Sequence, residues 1–419
     1  MNRFWYSILL YFLSPLLLIY LAIRAFKSAD YRGRWAERFG LTKLTATPLL
    51  FHTASMGETL AAIPLIKSIM ERHPQLAITI TTTSPTGSAE VIKAFGDKVQ
   101  HCYLPFDLSF SVKRFLNQVK PQCCVILETE LWPNLLHFCY RKSIDIVLAN
   151  ARLSEKSALK YQQWPQLIKP MLNQLSQVSV QTEVERKRFI ELGLPAEKLH
   201  VFGSLKYDIS ISSGVINEGL RLRANWERKN HPVWVAGSVH PTEFDSIILA
   251  HRSLLKHYPE ALLIMVPRHP EQFNVAADKI KVAELTMARR SLGQSVNLST
   301  QVLLGDTMGE LRQFYAIADQ AFIGGSFNQT GGQNPLEPAA VGLALMMGNS
   351  FENFEDICQQ LIKVEALTIV EDGDALAQAL RSNIDSQQQM QHKQQAAKQL
   401  IEENRGSVQR QVALLEKLL

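Results

Sequence analysis

The 419-residue chain is short of cysteine, of net charge and of long apolar runs. Its five cysteines (Cys102, Cys123, Cys124, Cys139 and Cys358) are an odd number and include no C-x-x-C pair. That argues against a zinc site or a complete disulfide framework and fits a reducing compartment. The formal net charge of +5 is too mild for a dedicated nucleic-acid binder. With 46% hydrophobic and 20% charged residues, and modest Gly and Pro, the chain is neither disordered nor collagen-like. P-loop and G-x-G-x-x-G runs are also missing, which removes most support from P-loop kinase and dehydrogenase readings.

One apolar run does reach membrane-spanning length. Residues 4–23 carry no charge, and only Ser7, Ser14 and Pro15 among them are not apolar. At a rise of ~1.5 Å per residue this helix is about 30 Å long, the thickness of a hydrocarbon core. It runs into Ile23, Arg24 and Ala25 rather than a small-x-small cleavage site, so a retained anchor is expected over a cleaved signal. Residues 24–43 hold six basic groups (Arg24, Lys27, Arg32, Arg34, Arg38 and Lys43) against Asp30 and Glu37. This basic collar places the body of the protein on the cytoplasmic side. Pro15 leaves open a kinked helix lying in one leaflet.

From Pro48 onward, short apolar strands alternate with helical stretches. Runs at 49–54, 77–83, 99–104, 123–127, 144–149, 178–181 and 200–202 read as strands, with helices such as Thr59–Arg72 and Glu183–Leu192 between them. After a charged, apolar-poor stretch near 212–230, strands resume at 233–236, 261–266, 302–304, 321–323, 343–347 and 367–370. Strands without polar alternation indicate parallel sheets covered on both faces. The expectation is an α/β protein of two βα-wound halves facing a cleft. The Gln-rich 386–404 stretch reads as helical, and Val408, Val412, Leu415 and Leu419 give a last helix one apolar face.

Ligands of such sheets bind where strands end, so those loops carry the functional signal. The first strand leads into Ser55-Met56-Gly57-Glu58, where Gly57 permits a tight turn and Glu58 stands at a helix start. The fourth ends in Glu128-Thr129-Glu130; strand alternation would put both carboxylates on one face, where repulsion raises a pKa. Arg152 and Lys206 follow later strands and supply positive charge. In the second half, Ala236-Gly237-Ser238 and a helix start near Pro241-Thr242-Glu243 offer bare amides for a phosphate. Arg268, between Pro267 and Pro270, presents a planar fork suited to phosphate or a base edge, and His269 reads as a turn residue. The turns Gly305–Leu311, Gly324-Gly325-Ser326 and Thr330–Pro338 let backbone approach a ligand, Pro335 fits a first helical turn, and Glu337 suits ribose hydroxyls.

These elements together resemble the 3-deoxy-D-manno-octulosonic acid (Kdo) transferases of lipopolysaccharide assembly. The resemblance covers nearly the whole chain. It includes the amino-terminal anchor, Tyr31–Gly40, Ser55-x-Gly57-Glu58, Glu128-Thr-Glu-Leu-Trp-Pro133, Asn150-Ala-Arg152, Gly203-Ser-Leu-Lys206, Pro267-Arg-His269 and Asn334-Pro-Leu-Glu-Pro338. It implies a GT-B fold, a CMP-Kdo donor and a lipid A precursor as acceptor. By position, Glu58 matches the family's general base, and Glu128 and Lys206 match transition-state stabilisers. Pro267, Arg268, Met308, Gly309, Glu310, Asn334, Pro335, Leu336 and Glu337 match CMP contacts. Gln333 stands where the family commonly has His, and Gln cannot become cationic near neutral pH.

The expected organisation is an anchor over 1–30, an acceptor-binding Rossmann-like domain over 31–211, a linker over 212–230, a CMP-sugar-binding Rossmann-like domain over 231–404, and a C-terminal helix over 405–419. The expected reaction is inverting displacement without a cofactor. No Asp-x-Asp motif stands where a bridging cation would be needed, so metal independence is expected. Membrane lipids are expected partners, nucleic acid is not, and the inner membrane is the expected location. The rivals are a GT-B enzyme of another donor, such as a UDP-sugar, and a non-catalytic membrane adaptor on the same scaffold.

Overall fold

A computed structural model describes residues 2–209 and 211–419. Met1 of the expected anchor and Ser210 of the expected first domain lie outside the described residues. The chain divides into two compact units, Met1–Asp208 with Arg405–Leu419, and Ile209–Asn404.

The first unit is built on strands β1 (Leu49–Thr53), β2 (Ile78–Thr82), β3 (Gln100–Tyr103), β4 (Cys123–Leu127), β5 (Asp145–Ala151), β6 (Gln177–Val180) and β7 (Leu199–Val201). All pair in parallel, in the order β3-β2-β1-β4-β5-β6-β7, with Leu49 opposite both Ile78 and Cys123. Leu50, Cys124 and Ile126 point into one apolar core, and Leu49, Phe51 and Val125 into a second. Helices cover both faces, which is why the strands read as unbroken apolar runs. The last helix, Ser407–Leu415, belongs to this unit and buries Val408, Val412 and Leu415 in the core that holds Ile66 and Ile69. Leu419, grouped by spacing with that face, lies beyond the helix and is exposed.

The helix α1 (Arg3–Lys27) has a mean hydropathy of 2.1 over its most apolar window, and Leu21 is its one buried residue. It runs through Pro15 unbroken. Pro15 has no N–H for the carbonyl of Tyr11, and the Ser14 hydroxyl donates to that carbonyl instead, at 2.7 Å. Polar side chains on one stripe fasten α1 to the body. Tyr6 donates to Asp107 at 3.1 Å, while Arg3 and Ser7 both donate to Asn134 Oδ1 at 3.0 and 2.9 Å. Asp107 in turn accepts the amides of Asn134 and Leu135, capping the Pro133–Arg141 helix, and burial pushes its carboxyl up to about 7. The collar is partly structural. Arg34 and Arg38 stack over the Tyr103 ring at 4.4 and 4.2 Å, and Arg38 donates to the Thr83 carbonyl.

The second unit carries β8 (Val233–Val239), β9 (Leu262–Pro267), β10 (Met287–Arg289), β11 (Val302–Leu304), β12 (Gln320–Ile323), β13 (Ala344–Met347) and β14 (Leu367–Ile369). Their order is β10-β11-β9-β8-β12-β13-β14, again all parallel. The edge strand β10 has no apolar run and was not legible. Residues 212–230, expected as a linker, contain the helix Ser213–Asn225, which packs on the Leu311–Ile317 helix. Gly219 allows that approach: a Cβ there would sit 2.7 Å from Ala316 Cβ. The stretch looked like a linker because of its charges, yet Arg223 is spent inside, paired with Asp319 at 2.7 Å. The Gln-rich segment is the helix Gln387–Asn404, seated on this unit through Ala397, Leu400 and Ile401.

Candidate active site

In each sheet the strand order reverses beside the strand that begins the unit, between β1 and β4 in the first and between β8 and β12 in the second. Loops leaving the strands there diverge and open a crevice at the carboxyl ends.

In the first unit, Ser55 caps the helix Met56–Arg72, which starts three residues earlier than expected and places Glu58 in its first turn. Gly57 sits within that turn without a positive φ, so the expected tight turn is absent; a Cβ there would meet only Ser55 Oγ, at 3.9 Å. Glu58 folds back. Its Oε2 accepts from the Ala54 amide at 2.7 Å, and Oε1 accepts from the Ser55 hydroxyl at 2.8 Å. The side chain is only 7% exposed, and burial pushes the carboxyl up to about 7. The two hydrogen bonds oppose that rise, while Glu128 and Glu130 add to it.

Strand β4 stops at Leu127, and Glu128 takes a left-handed φ of 55°. Glu128 and Glu130 therefore do not share a strand face; the chain turns sharply between them. A non-glycine residue held in this conformation costs free energy that surrounding contacts must offset. Glu128 Oε1 lies 3.5 Å from Lys206 Nζ, so two expected site residues do meet. Lys206 rides on the turn Leu205–Tyr207, fixed by the Leu205 amide donating to Asn150 Oδ1 at 3.0 Å. Asn150 is fully buried and also left-handed, at φ 54°. Burial, then the charge of Glu128, raises the Glu130 carboxyl above its ordinary value. Thr129 donates to the Arg152 carbonyl, tying the β4 and β5 exits together.

The second unit corrects several expectations. His240 caps the turn Pro241–Glu243, and its amide donates to Glu243 at 2.8 Å. The same fully buried carboxylate accepts the amides of Gly325, Ser326 and Phe327, at 2.8, 3.0 and 3.0 Å. The amides of Gly325, Ser326 and Phe327 are thus used inside the protein, and at the Pro241–Glu243 turn, where bare amides were expected for a phosphate, the Glu243 amide returns to the His240 carbonyl. The amide of Gly324 goes to the Gly237 carbonyl, and those of Gly332 and Gln333 return to Gly325 and Gly324. Gly237 and Ser238 belong to β8 rather than to a loop, and a Cβ on Gly237 would strike the Tyr315 hydroxyl at 2.2 Å.

One guanidinium and two imidazole rings gather beside this saturated loop. Arg268 follows β9 and is exposed, and its guanidinium makes no ion pair among the described residues. The His269 ring meets the His240 ring edge to face at 6.0 Å, and Gln333 Nε2 lies 3.5 Å from His240 Nε2. Burial chiefly lowers the His240 pKa, with Arg268 and His269 adding to that. Met308 is 62% exposed, and Gly309 has a φ of 86° with open space around it. Glu310 pairs with Arg290 at 2.6 Å, and Glu337 with Arg312 at 2.9 Å, so each carboxylate already has a cation. Asn334 accepts the Leu336 amide at 3.0 Å; Pro335 caps the helix Leu336–Val341, and the Leu336 and Pro267 side chains are buried. The one Asp-x-Asp, Asp372-Gly373-Asp374, follows the edge strand β14, where Asp372 caps a helix.

Sequence reasoning missed His240, Arg290 and the buried role of Glu243. The spacing of His240 and Glu243 is that of a capping box, but His is not a usual cap residue, so the signal was faint.

A family model described as 3-Deoxy-D-manno-octulosonic-acid transferase (kdotransferase) matches residues 33–209. The 3-deoxy-D-manno-octulosonic acid transferase of Haemophilus influenzae is 41% identical over all of this chain and 99% of its own length. That of Bordetella pertussis is 34% identical over 87% of each. Among solved structures, a UDP-N-acetylglucosamine 2-epimerase of Listeria monocytogenes, so described as putative, aligns over 90% of this chain and 96% of its own. It does so with a TM-score of 0.52 at 11% identity, a likeness of fold alone.

Proposed function

The chain belongs to the 3-deoxy-D-manno-octulosonic acid transferase family and is a glycosyltransferase of GT-B fold; from that premise we propose that it moves Kdo from CMP-Kdo to a lipid A precursor, with Glu58 as general base. The acceptor hydroxyl loses its proton to Glu58 as its oxygen bonds to the Kdo anomeric carbon. The bond from that carbon to the CMP phosphate oxygen breaks with its electron pair, inverting the centre through an oxocarbenium-like state. Lys206, held by Glu128, supplies positive charge in the first unit. In the second, Arg268 with His240 and His269 nearby takes the CMP phosphate. Because the loop amides are engaged by Glu243, the Arg268 guanidinium carries that task. Glu337, whose contacts with Arg312 use only Oε1, keeps a second acceptor oxygen for sugar hydroxyls. No metal takes part in this scheme. The helix α1 anchors the enzyme at the inner membrane, with the two units on the cytoplasmic side where the glycolipid acceptor resides.

The observation that carries this reading is the Glu58 carboxyl, buried beside the switch point and pushed up to about 7. A base with that value is basic enough to take a proton and is about half ionised at neutral pH. The test is mass-spectrometric detection of product from detergent-extracted full-length protein. CMP-Kdo is generated in situ, a lipid A precursor is the acceptor, and samples run with and without a chelator. Product from the parent enzyme, unaffected by chelation and lost in Glu58→Gln, is the expected result. No product from folded protein would overturn the donor and acceptor assignment and call for a UDP-sugar screen. Equal product from both proteins would remove Glu58 as base.

A further inference from the structure

A groove beside α1 is used by nothing in the reaction above. It lies in the first unit between the Ser109–Val119 and Pro133–Arg141 helices, at the amino-terminal end of α1, with a volume of about 600 Å³. Arg3, Lys113, His137, Phe138, Arg141 and Lys142 line it, and no Asp or Glu does. Among the described residues none of the four fixed cations makes an ion pair. Elsewhere on this unit's surface cations have partners, as Arg186 has Glu183 and Lys93 has Glu90. Arg3 and Lys113 both stand over the Phe138 ring, at 5.9 and 4.9 Å. After burial, the charges of Arg3, Arg141 and Lys113 hold the His137 ring below its ordinary pKa.

Arg141 and Lys142 alone would be the ordinary complement to a helix carboxyl end. Lys113 and Arg3 come from two other elements and converge on the same space, where like charges repel until an anion enters. The groove also has an apolar lip: Phe4 lines it, and Phe4 and neighbouring Trp5 are 62% and 59% exposed on α1. Phosphate charge and hydrocarbon are therefore accommodated side by side. We propose that this groove binds the phosphate headgroup of an anionic phospholipid, whose acyl chains lie along the exposed apolar side of α1. The inference rests on the reading of α1 as a membrane helix. It concerns a bystander lipid that fixes the enzyme's pose at the bilayer, not the acceptor.

The test is native mass spectrometry of the full-length protein in neutral detergent, titrated with phosphatidylglycerol, phosphatidylcholine or inorganic phosphate. Phosphatidylglycerol should remain bound where phosphatidylcholine does not. Lys113→Gln with Arg141→Gln should weaken it at least about tenfold, since each cation near an anionic surface contributes comparably. Lys156→Gln with Lys160→Gln, exposed cations elsewhere on this unit, should leave it unchanged. Should the Arg141 variant lose its melting transition, Lys113→Gln with Lys142→Gln serves in its place. Equal retention of both phospholipids, or no effect of the groove substitutions, overturns the proposal. Displacement by an equal concentration of inorganic phosphate reassigns the groove to a free anion. Preferential displacement by the lipid A precursor reassigns it to the acceptor. The readout is binding, so failure here leaves the transferase reading untouched.

Discussion

Glu58 and Glu243 occupy equivalent places in the two units. Each is the third residue after the cap of the first helical segment, following the strand beside which the sheet order reverses. Both bend back to a backbone amide at the start of their own segment. What surrounds them differs. Glu243 has no exposure and receives four amide donors, three of them from the loop after β12. Glu58 receives one amide and one hydroxyl, and two further carboxylates repel it. The same cap position serves in one unit as a structural anchor for a glycine-rich loop. In the other it is left under-satisfied and poised near neutrality. A capping role and a chemical role are therefore not alternatives for Glu58: the cap holds the carboxylate in place, and its sparse donors keep it basic.

The largest effect should come from breaking the chemical half of the comparison. Glu58→Gln keeps an acceptor for the Ala54 amide, so the protein should fold, yet transfer should fall by roughly 10²–10⁴, the usual worth of a general base. Product formation at saturating donor measures it, and a residual rate within a few-fold of the parent would sink the assignment. Breaking the structural half should behave in reverse. Glu243→Ala strands the buried amides of Gly325 and Ser326 at about 1–3 kcal/mol each, and those of His240 and Phe327 in part, so a loss of at least ~2 kcal/mol is expected. Denaturant titration reads it, and an unchanged midpoint would show that the loop finds other partners.

How much of this was legible follows from the same two residues. The strands were readable to within a residue or two in most cases, because two-sided burial leaves apolar runs with no competing period. The exceptions carry reasons: β10 is too short and polar to signal, and Ser213–Asn225 turns Arg223 inward to pair with Asp319. Glu58, Glu128 and Lys206 were all named from sequence, and Glu128 and Lys206 meet. The basis for Glu128 was nevertheless wrong, since strand alternation ends at Leu127 and a left-handed residue follows. Nothing in a run of letters marks a non-glycine left-handed turn, nor that one distant carboxylate would consume the amides of a glycine loop. Both are tertiary decisions.

Titration gives a sharper form of the comparison. Glu58 lies near 7 in the folded protein against an ordinary 4.5, so the folded state binds its proton more tightly than the unfolded. Its contribution to stability is fully present below about 4.5 and is lost as pH rises through about 7. Above that, ionised Glu58 is a standing penalty of up to about 3 kcal/mol. Glu58→Gln should therefore raise the melting temperature at pH 8 and leave it nearly unchanged at pH 4. The parent's kcat/KM should rise about tenfold per pH unit below neutrality and level off above it, as the base ionises. A flat profile across pH 5–8 would separate Glu58 from the proton transfer.

The smallest expected effect tests whether the neighbours of Glu58 act on chemistry or on folding. Glu128 and Lys206 are partly exposed and 3.5 Å apart, so their mutual stabilisation should be only about 0.2–1 kcal/mol. A double-mutant cycle of Glu128→Gln and Lys206→Gln should show that small coupling in denaturant midpoints. The same cycle read in transfer rates should show strong non-additivity, because Glu128 acts by holding Lys206. Once Lys206 is gone, removing Glu128 should cost little more. Removing Glu128 also lifts one repulsion from Glu58, so the pH at which the rate levels off should move down. A shift upward, or additive losses in rate, would mean that Glu128 works independently of both residues, and the first unit would lose the arrangement that sets it apart from the second.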